Sequence, residues 1–224
     1  MKARVLVARA RIPGSQEELC LYRHGDEFAI QISGYVSELM NSRMHHSEEA
    51  LAEYACALIQ QRATPRVLVG GLGMGFTLAA TLKAVGADAE VVVAELVPDV
   101  VEWNRGPLGA CAGYPLLDER VRVHVGDVRD VLKSRAAQFD AVLLDVDNGP
   151  QGMTHTENDW LYGLAGLRVA QSALRPGGVL AVWSVEPDAA FTKRLQQVGF
   201  DVQLRTARER PGKGARHTIW LARA

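Results

Sequence analysis

A short apolar run, Val67-Leu68-Val69, feeds into Gly70-Gly71-Leu72-Gly73-Met74-Gly75, and an apolar helical pattern follows from Thr77 to Val85. Glycines let a strand turn tightly into a helix and let a ligand approach bare backbone. Some way beyond the loop, a second apolar run, Val91-Val92-Val93-Ala94, ends in Glu95. An acid roughly twenty residues past such a loop, at the tip of the next strand, accepts hydrogen bonds from ribose hydroxyls. The glycine loop alone would fit a tight strand-to-helix turn in many proteins. With Glu95 beside it, the pattern describes a crevice for a nucleoside.

The rest of the chain supports that architecture. Strand-like runs fall at 67–69, 91–94, 121–125, 141–144 and 179–183, separated by helical stretches. Pro98 marks a helix start, with Asp99 and Glu102 placing negative charge in its first turn. Thr154-His155-Thr156-Glu157 has the spacing of a capping box before a helix running to about Leu174. Arg175-Pro176-Gly177-Gly178 then turns the chain toward the next strand, and Pro187-Asp188 opens a further helix ending near Gly199. Two final runs, 201–206 and 217–222, read as an antiparallel hairpin at the sheet edge. The expected fold is α/β, a doubly wound, mostly parallel sheet with its ligands at the carboxyl ends of the strands.

Ahead of this lies β structure. Arg4–Ala10, Glu18–Tyr22 and Phe28–Ser33 are strand candidates, the last two flanking the turn His24-Gly25-Asp26-Glu27. From Ser47, Leu51, Tyr54, Ala55, Leu58 and Ile59 share one helical face, and Thr64-Pro65 closes that helix. The expected division is a small N-terminal β element at 1–46, a connecting helix at 47–65, and a nucleoside-binding domain at 66–224.

Net charge is −1 over 224 residues, which gives no electrostatic footprint for nucleic acid or an anionic membrane. No apolar run reaches the length of a membrane span, and the N-terminus lacks the apolar core of a signal peptide. Cys20, Cys56 and Cys111 are far apart and read as reduced, small buried hydrophobes, so a cytoplasmic location is expected. His45-His46 beside Glu48-Glu49 reads as an exposed polar helix start, because metal-ligand spacing is absent. The basic stretch at 205–216 reads as a solvated loop.

Besides Glu95, two further acids fall at strand carboxyl ends: Asp127 in Gly126-Asp127-Val128, and Asp145 after Val142-Leu143-Leu144. One acid at a strand tip is often a helix cap. Three at successive tips beside a glycine loop point to a site. Asp147 follows closely, though Asp147-Asn148-Gly149 also fits an Asx turn. Asp145, Asp147 and Asn148 have the oxygen ligands of a divalent-cation site, but no metal is expected. Trp160 and Tyr162 suit an acceptor pocket or the core of their helix equally.

The ordered set Gly71-x-Gly73-x-Gly75, Glu95, Gly126-Asp127, Asp145 and Leu174-Arg175-Pro176-Gly177-Gly178 resembles the class I S-adenosylmethionine-dependent methyltransferase fold. Within that superfamily it is most similar to the spermidine synthase (polyamine aminopropyltransferase) group, over roughly residues 20–222. The resemblance implies S-adenosylmethionine or its decarboxylated form as the bound nucleoside. Gly71, Gly73 and Gly75 would run beside its tail, Glu95 would hold the ribose and Asp127 would face the adenine. Asp145 would stand by the sulfonium and the acceptor, with Asp147 as the second catalytic candidate.

Three departures from the family pattern matter. Met74 stands where the family loop normally carries an Asp that holds the cationic aminopropyl end. The loop Asp145-Val146-Asp147-Asn148-Gly149-Pro150 is shorter and rearranged. The Tyr-His-Glu polyamine segment is replaced by Asn41-Ser42-Arg43-Met44-His45-His46-Ser47-Glu48. Because Met74 offers no charge, the expected function is methyl transfer from intact S-adenosylmethionine to a small acceptor. Aminopropyl transfer to a polyamine is the alternative, and a non-catalytic nucleoside binder a third reading. The expected partners are a small-molecule acceptor, an amine among the candidates, and a second copy of the chain in a homodimer, with neither nucleic acid nor membrane.

Overall fold

In the computed structural model, which describes residues 3–134, 136–146, 149–150 and 159–224, the chain opens with an antiparallel sheet. Its strands are β1 (Arg4–Arg11), β2 (Glu18–His24), β3 (Glu27–Ile32) and β4 (Met40–Asn41), adjacent in that order. The turn between β2 and β3 falls at the expected Gly25, which has a φ of +67°. Helix α1 (His46–Ala57) follows. The larger sheet then alternates with helices: β5 (Arg66–Gly70), α2 (Phe76–Ala84), β6 (Glu90–Glu95), α3 (Pro98–Arg105), β7 (Val121–Val125), α4 (Val128–Ser134) and β8 (Phe139–Leu144). After it come α5 (Asp159–Tyr162), α6 (Leu164–Ala173), β9 (Leu174–Ser184), α7 (Ala189–Val198), β10 (Asp201–Arg210) and β11 (Lys213–Arg223).

The larger sheet has seven strands in the order β10-β11-β9-β8-β5-β6-β7. β9, β8, β5, β6 and β7 run parallel, and β11 is antiparallel to both β9 and β10. This is the expected α/β class, a mostly parallel sheet ending in an antiparallel hairpin. Its central strands are apolar on both faces because helices cover both. Val67, Val69, Ala141 and Leu143 join the core shared with α1 and α2. Leu68, Val142 and Leu144 join the opposite core with α4, α6 and α7. The chain runs outward from β5 through β6 to β7, then returns to β8 on the other side of β5. Loops leaving β5 and β8 therefore diverge, and a crevice opens at their carboxyl ends.

Local signals act as expected at several element ends. Pro98 begins α3 with Asp99 in its first turn. Asp188 caps α7, accepting hydrogen bonds from the Ala190 and Phe191 amides, and Gly199 ends it at a φ of +108°. The stretch 205–216, expected as a loop, is mostly paired strand, with the turn between Arg210 and Lys213, and two further expectations differ from the structure. The helix before β9 is interrupted at Gly163, whose extended backbone separates α5 from α6; the capping box at 154–157 lies outside the described residues. β9 also begins five residues early. Leu174 pairs with Phe139 and Val179 with Ala141, so 175–178 bulge out while the strand continues.

The N-terminal sheet packs into the same core as the larger one. Leu19, Leu21, Ile30 and Ile32 sit with Leu51, Ala55 and Leu72 in one cluster. Cys20 and Cys56 are buried free thiols. No helix among the described residues is long and apolar enough to cross a membrane.

Candidate active site

A cavity of about 310 Å³ lies where the N-terminal sheet overhangs the carboxyl ends of β5, β6 and β8. That is within the usual range of small-molecule sites. Its floor is the glycine loop. Its roof is apolar and includes Leu19, Ile30 and Met40. Glu95, Asp127 and Asp145 all line it, so the three strand-tip acids picked out by spacing share one cavity.

The glycines do different work. Gly71 has a φ of +89°, and a Cβ there would collide with the Asp145 backbone carbonyl. The Asp145 amide donates to the Gly70 carbonyl at 2.9 Å, so the tips of β5 and β8 are pinned together at this point. Gly73, with a φ of +51°, instead faces the cavity; its Cβ would meet only the Met40 side chain, Sδ at 3.0 Å and Cε at 3.4 Å. Gly75 is the residue from which α2 starts. Gly71→Ala is therefore expected to cost the fold about 2–4 kcal/mol, because backbone cannot move aside as a side chain does. Gly73→Val should keep the fold at a cost of about 1–2 kcal/mol for the left-handed backbone, yet lose nucleoside binding. Thermal melts paired with calorimetric titration of 5′-methylthioadenosine separate the two. Normal binding by Gly73→Val would reduce the loop to a turn.

Glu95 ends β6 and is 8% exposed. Its Oε2 accepts a hydrogen bond from the Leu72 amide at 2.9 Å, and its Oε1 one from the Val97 amide at 2.9 Å. Burial pushes its pKa up, while backbone amides pull it back toward the charged form. The carboxylate lines the cavity, where a ligand hydroxyl can meet it. Asp127 is engaged differently. It accepts from the Arg129 amide at 2.8 Å and from Arg129 Nε at 2.6 Å, at the start of α4. It acts as a helix cap while it lines the cavity.

Asp145 stands at the end of β8 and accepts a hydrogen bond from the Thr77 hydroxyl at 2.5 Å. Burial raises its pKa to about 6, against the pull of that hydroxyl. A fourth acid joins it that sequence reasoning placed elsewhere. Glu48, in the first turn of α1, also lines the cavity. Burial raises its pKa to about 7, and the charge of Asp145 adds to the rise. The polar helix start expected at 45–49 is thus only partly exposed. Ser47 is buried, its hydroxyl donating to Glu48 Oε2 at 2.6 Å. His45 stacks on Phe76 at 4.1 Å and lies 3.2 Å from Glu49.

Trp160 and Tyr162 do not line the cavity. Tyr162 is buried in the core beneath α6 and α7, edge-on to Phe191, with its hydroxyl donating to the Val146 carbonyl at 3.2 Å. Trp160 carries Lys133 Nζ over its ring at 4.7 Å. The break at Gly163 directs both toward packing. An aromatic that does line the cavity is Trp183 of β9, stacked on His217 at 4.7 Å. Asp147 lies outside the described residues. The described residues hold no group of three His, Cys, Asp or Glu placed to bind a metal.

The arrangement suits a nucleoside whose ribose meets Glu95 and whose tail crosses Gly73 toward Asp145 and Glu48. Comparison with known proteins identifies the family. The sequence model of the spermine/spermidine synthase domain matches residues 44–197, which contain the glycine loop and all four acids. The polyamine aminopropyltransferase of Nitrosomonas europaea is 32% identical over 124 residues, covering 54% of this chain and 36% of that protein. Polyamine aminopropyltransferase 2 of Pseudomonas aeruginosa is 29% identical over 150 residues, covering 59% of this chain and 39% of that protein. The chain thus matches less than two fifths of the length of either relative. A spermidine synthase solved in complex with the transition state analogue AdoDATO has the same fold, with a TM-score of 0.75 at 16% identity over 97% of this chain and 72% of that one.

Proposed function

Because this chain belongs to the spermine/spermidine synthase family, we propose that it transfers an aminopropyl group from decarboxylated S-adenosylmethionine to an amine, forming a polyamine. The observation that carries this reading is the family match over the whole set of cavity acids, residues 44–197. Both curated relatives are named polyamine aminopropyltransferases, so the expectation of methyl transfer gives way to its alternative. The ground for methyl transfer was the missing charge at Met74. Met74 is buried and uncharged, but Glu48 brings a carboxylate into the same cavity from α1.

The residues present fit such a donor. Glu95 presents a carboxylate in the cavity for the two ribose hydroxyls, and Gly73 leaves bare backbone where the tail must pass. A sulfonium supplies an activated leaving group, so the protein's work is alignment and proton removal. Asp145 receives a proton from the acceptor nitrogen. Thr77 holds its carboxylate in place. The apolar roof of Leu19, Ile30 and Met40 keeps water from competing as nucleophile.

Incubation with putrescine and each donor in turn tests the reading. Release of 5′-methylthioadenosine from the decarboxylated donor is expected. Formation of S-adenosylhomocysteine from the intact donor would restore methyl transfer instead.

A further inference from the structure

Beside the glycine loop, outside the cavity, lies a buried polar side chain with no part in the site so far. Asn104 sits in the last turn of α3, is 1% exposed and does not line the cavity. Its Nδ2 donates to two carbonyls: that of Gly73 in the loop at 2.8 Å, and that of Val100 one turn back in α3 at 2.9 Å. Its Oδ1 is buried and has no partner among the described residues. That oxygen stands 3.0 Å from the place a Cβ on Gly75 would take. The reverse amide orientation would set Oδ1 against two carbonyl oxygens, so those two acceptors fix the side chain as it stands. A leucine would fill a similar space and leave no unpaired acceptor, which is destabilising when buried. What the amide supplies and a leucine would not is its hold on Gly73.

α3 carries that hold back to Glu95. The amide of Val97, the residue that begins α3, donates to Glu95 Oε1. The amide of Leu72, next to Gly73 in the chain, donates to Glu95 Oε2. Hydrogen bonds and backbone together close a ring: from Glu95 to Val97, along α3 to Asn104, across to Gly73, and through Leu72 back to Glu95. Gly73 has a φ of +51° and no Cβ, so nothing of its own fixes the peptide that follows it. The ring fixes it from outside.

We infer that Asn104 is a positioning residue for the donor, setting the glycine loop and Glu95 in register before a ligand arrives. This rests on the nucleoside reading of the cavity. The nucleoside then meets the ribose acceptor and the bare backbone already spaced, and the entropy of ordering a glycine-rich loop is not subtracted from its affinity. Without Asn104 the peptide after Gly73 is free to rotate, because glycine accepts either hand of backbone. Asn104 reaches neither the transferred group nor the acceptor, so its effect is confined to the donor.

Asn104→Leu and Asn104→Ala test the role, by calorimetry with 5′-methylthioadenosine and by kinetics with decarboxylated S-adenosylmethionine and putrescine. Both variants should bind 5′-methylthioadenosine about tenfold or more weakly and raise the donor KM in step. The amine KM, and kcat at saturating donor, should stay within about threefold, because a bound donor orders the loop again. Hydrogen exchange of the free variants should be about tenfold or more faster than the parent's at residues 71–75, and saturating 5′-methylthioadenosine should restore the parent rate. Thermal melts establish that the variants fold. A folded variant with the parent's nucleoside affinity and loop exchange overturns the positioning role and leaves the proposed reaction intact. A variant that melts early yet keeps the parent's donor KM makes Asn104 a matter of stability alone and overturns it as well. A parent protein that binds no 5′-methylthioadenosine removes the nucleoside reading, and the positioning role falls with it.

Discussion

Glu95→Ala will bind 5′-methylthioadenosine at least a hundredfold more weakly than the parent protein. Each carboxylate oxygen already accepts one backbone amide, from Leu72 on one side and Val97 on the other. The carboxylate lines the cavity, and hydrogen bonds to a charged group are worth about 1.5–3 kcal/mol each. Two ribose hydroxyls lost together amount to about 3–6 kcal/mol, or roughly 10²–10⁴ in affinity. The glycine loop adds to the loss, because the Leu72 amide is left without its acceptor and the loop's position over the ligand relaxes. A melting curve will show a folded protein, since the β6 backbone keeps its pairing to β5 and β7. Parent-like affinity in the calorimeter would take Glu95 out of the nucleoside site.

Asp145→Asn separates binding from chemistry. The substituted amide has the same shape and can still accept the Thr77 hydroxyl, so the end of β8 should stay in place. It cannot take a proton. Turnover should fall by roughly 10²–10⁴, while nucleoside affinity stays within a few-fold. The pH dependence has a definite sign. Asp145 must be unprotonated to act, so parent activity falls as pH drops through about 6, and the variant's residual activity loses that limb. A variant as active as the parent would move the chemistry elsewhere, with Asp147 the next residue to change.

The parts of this site legible in the sequence are those built from contiguous residues. Gly71 to Gly75, Glu95, Asp127 and Asp145 each occupy a strand tip, and strand tips follow from local apolar runs. Asp127 shows the limit of that inference, because spacing places it in the cavity but does not reveal its engagement with Arg129. Glu48 was not legible. His45-His46-Ser47-Glu48-Glu49 is polar throughout, and only the docking of α1 against α2 decides which acid turns inward. A signal was present in Ser47, which begins the apolar face that Leu51 and Ala55 continue and is itself buried. Trp160 and Tyr162 were ambiguous for a related reason. A short aromatic run suits a pocket or a core equally, and with the helix interrupted at Gly163 both pack into the core cluster.

The N-terminal sheet has one further consequence. Leu19, Leu21, Ile30 and Ile32 belong to the same cluster as the helices beneath them, so the cavity's upper wall is anchored in the body of the protein and is not carried on a hinge. On that wall, among the described residues, it is the Met40 side chain above Gly73 that must yield to a ligand crossing the loop. Such a protein stores the energy of an occupied site in its cooperative melting as a whole: at a hundredfold excess over Kd a ligand adds about 2.7 kcal/mol to the entire transition. Heat, not only a catalytic assay, can thus rank amines and nucleosides against one another.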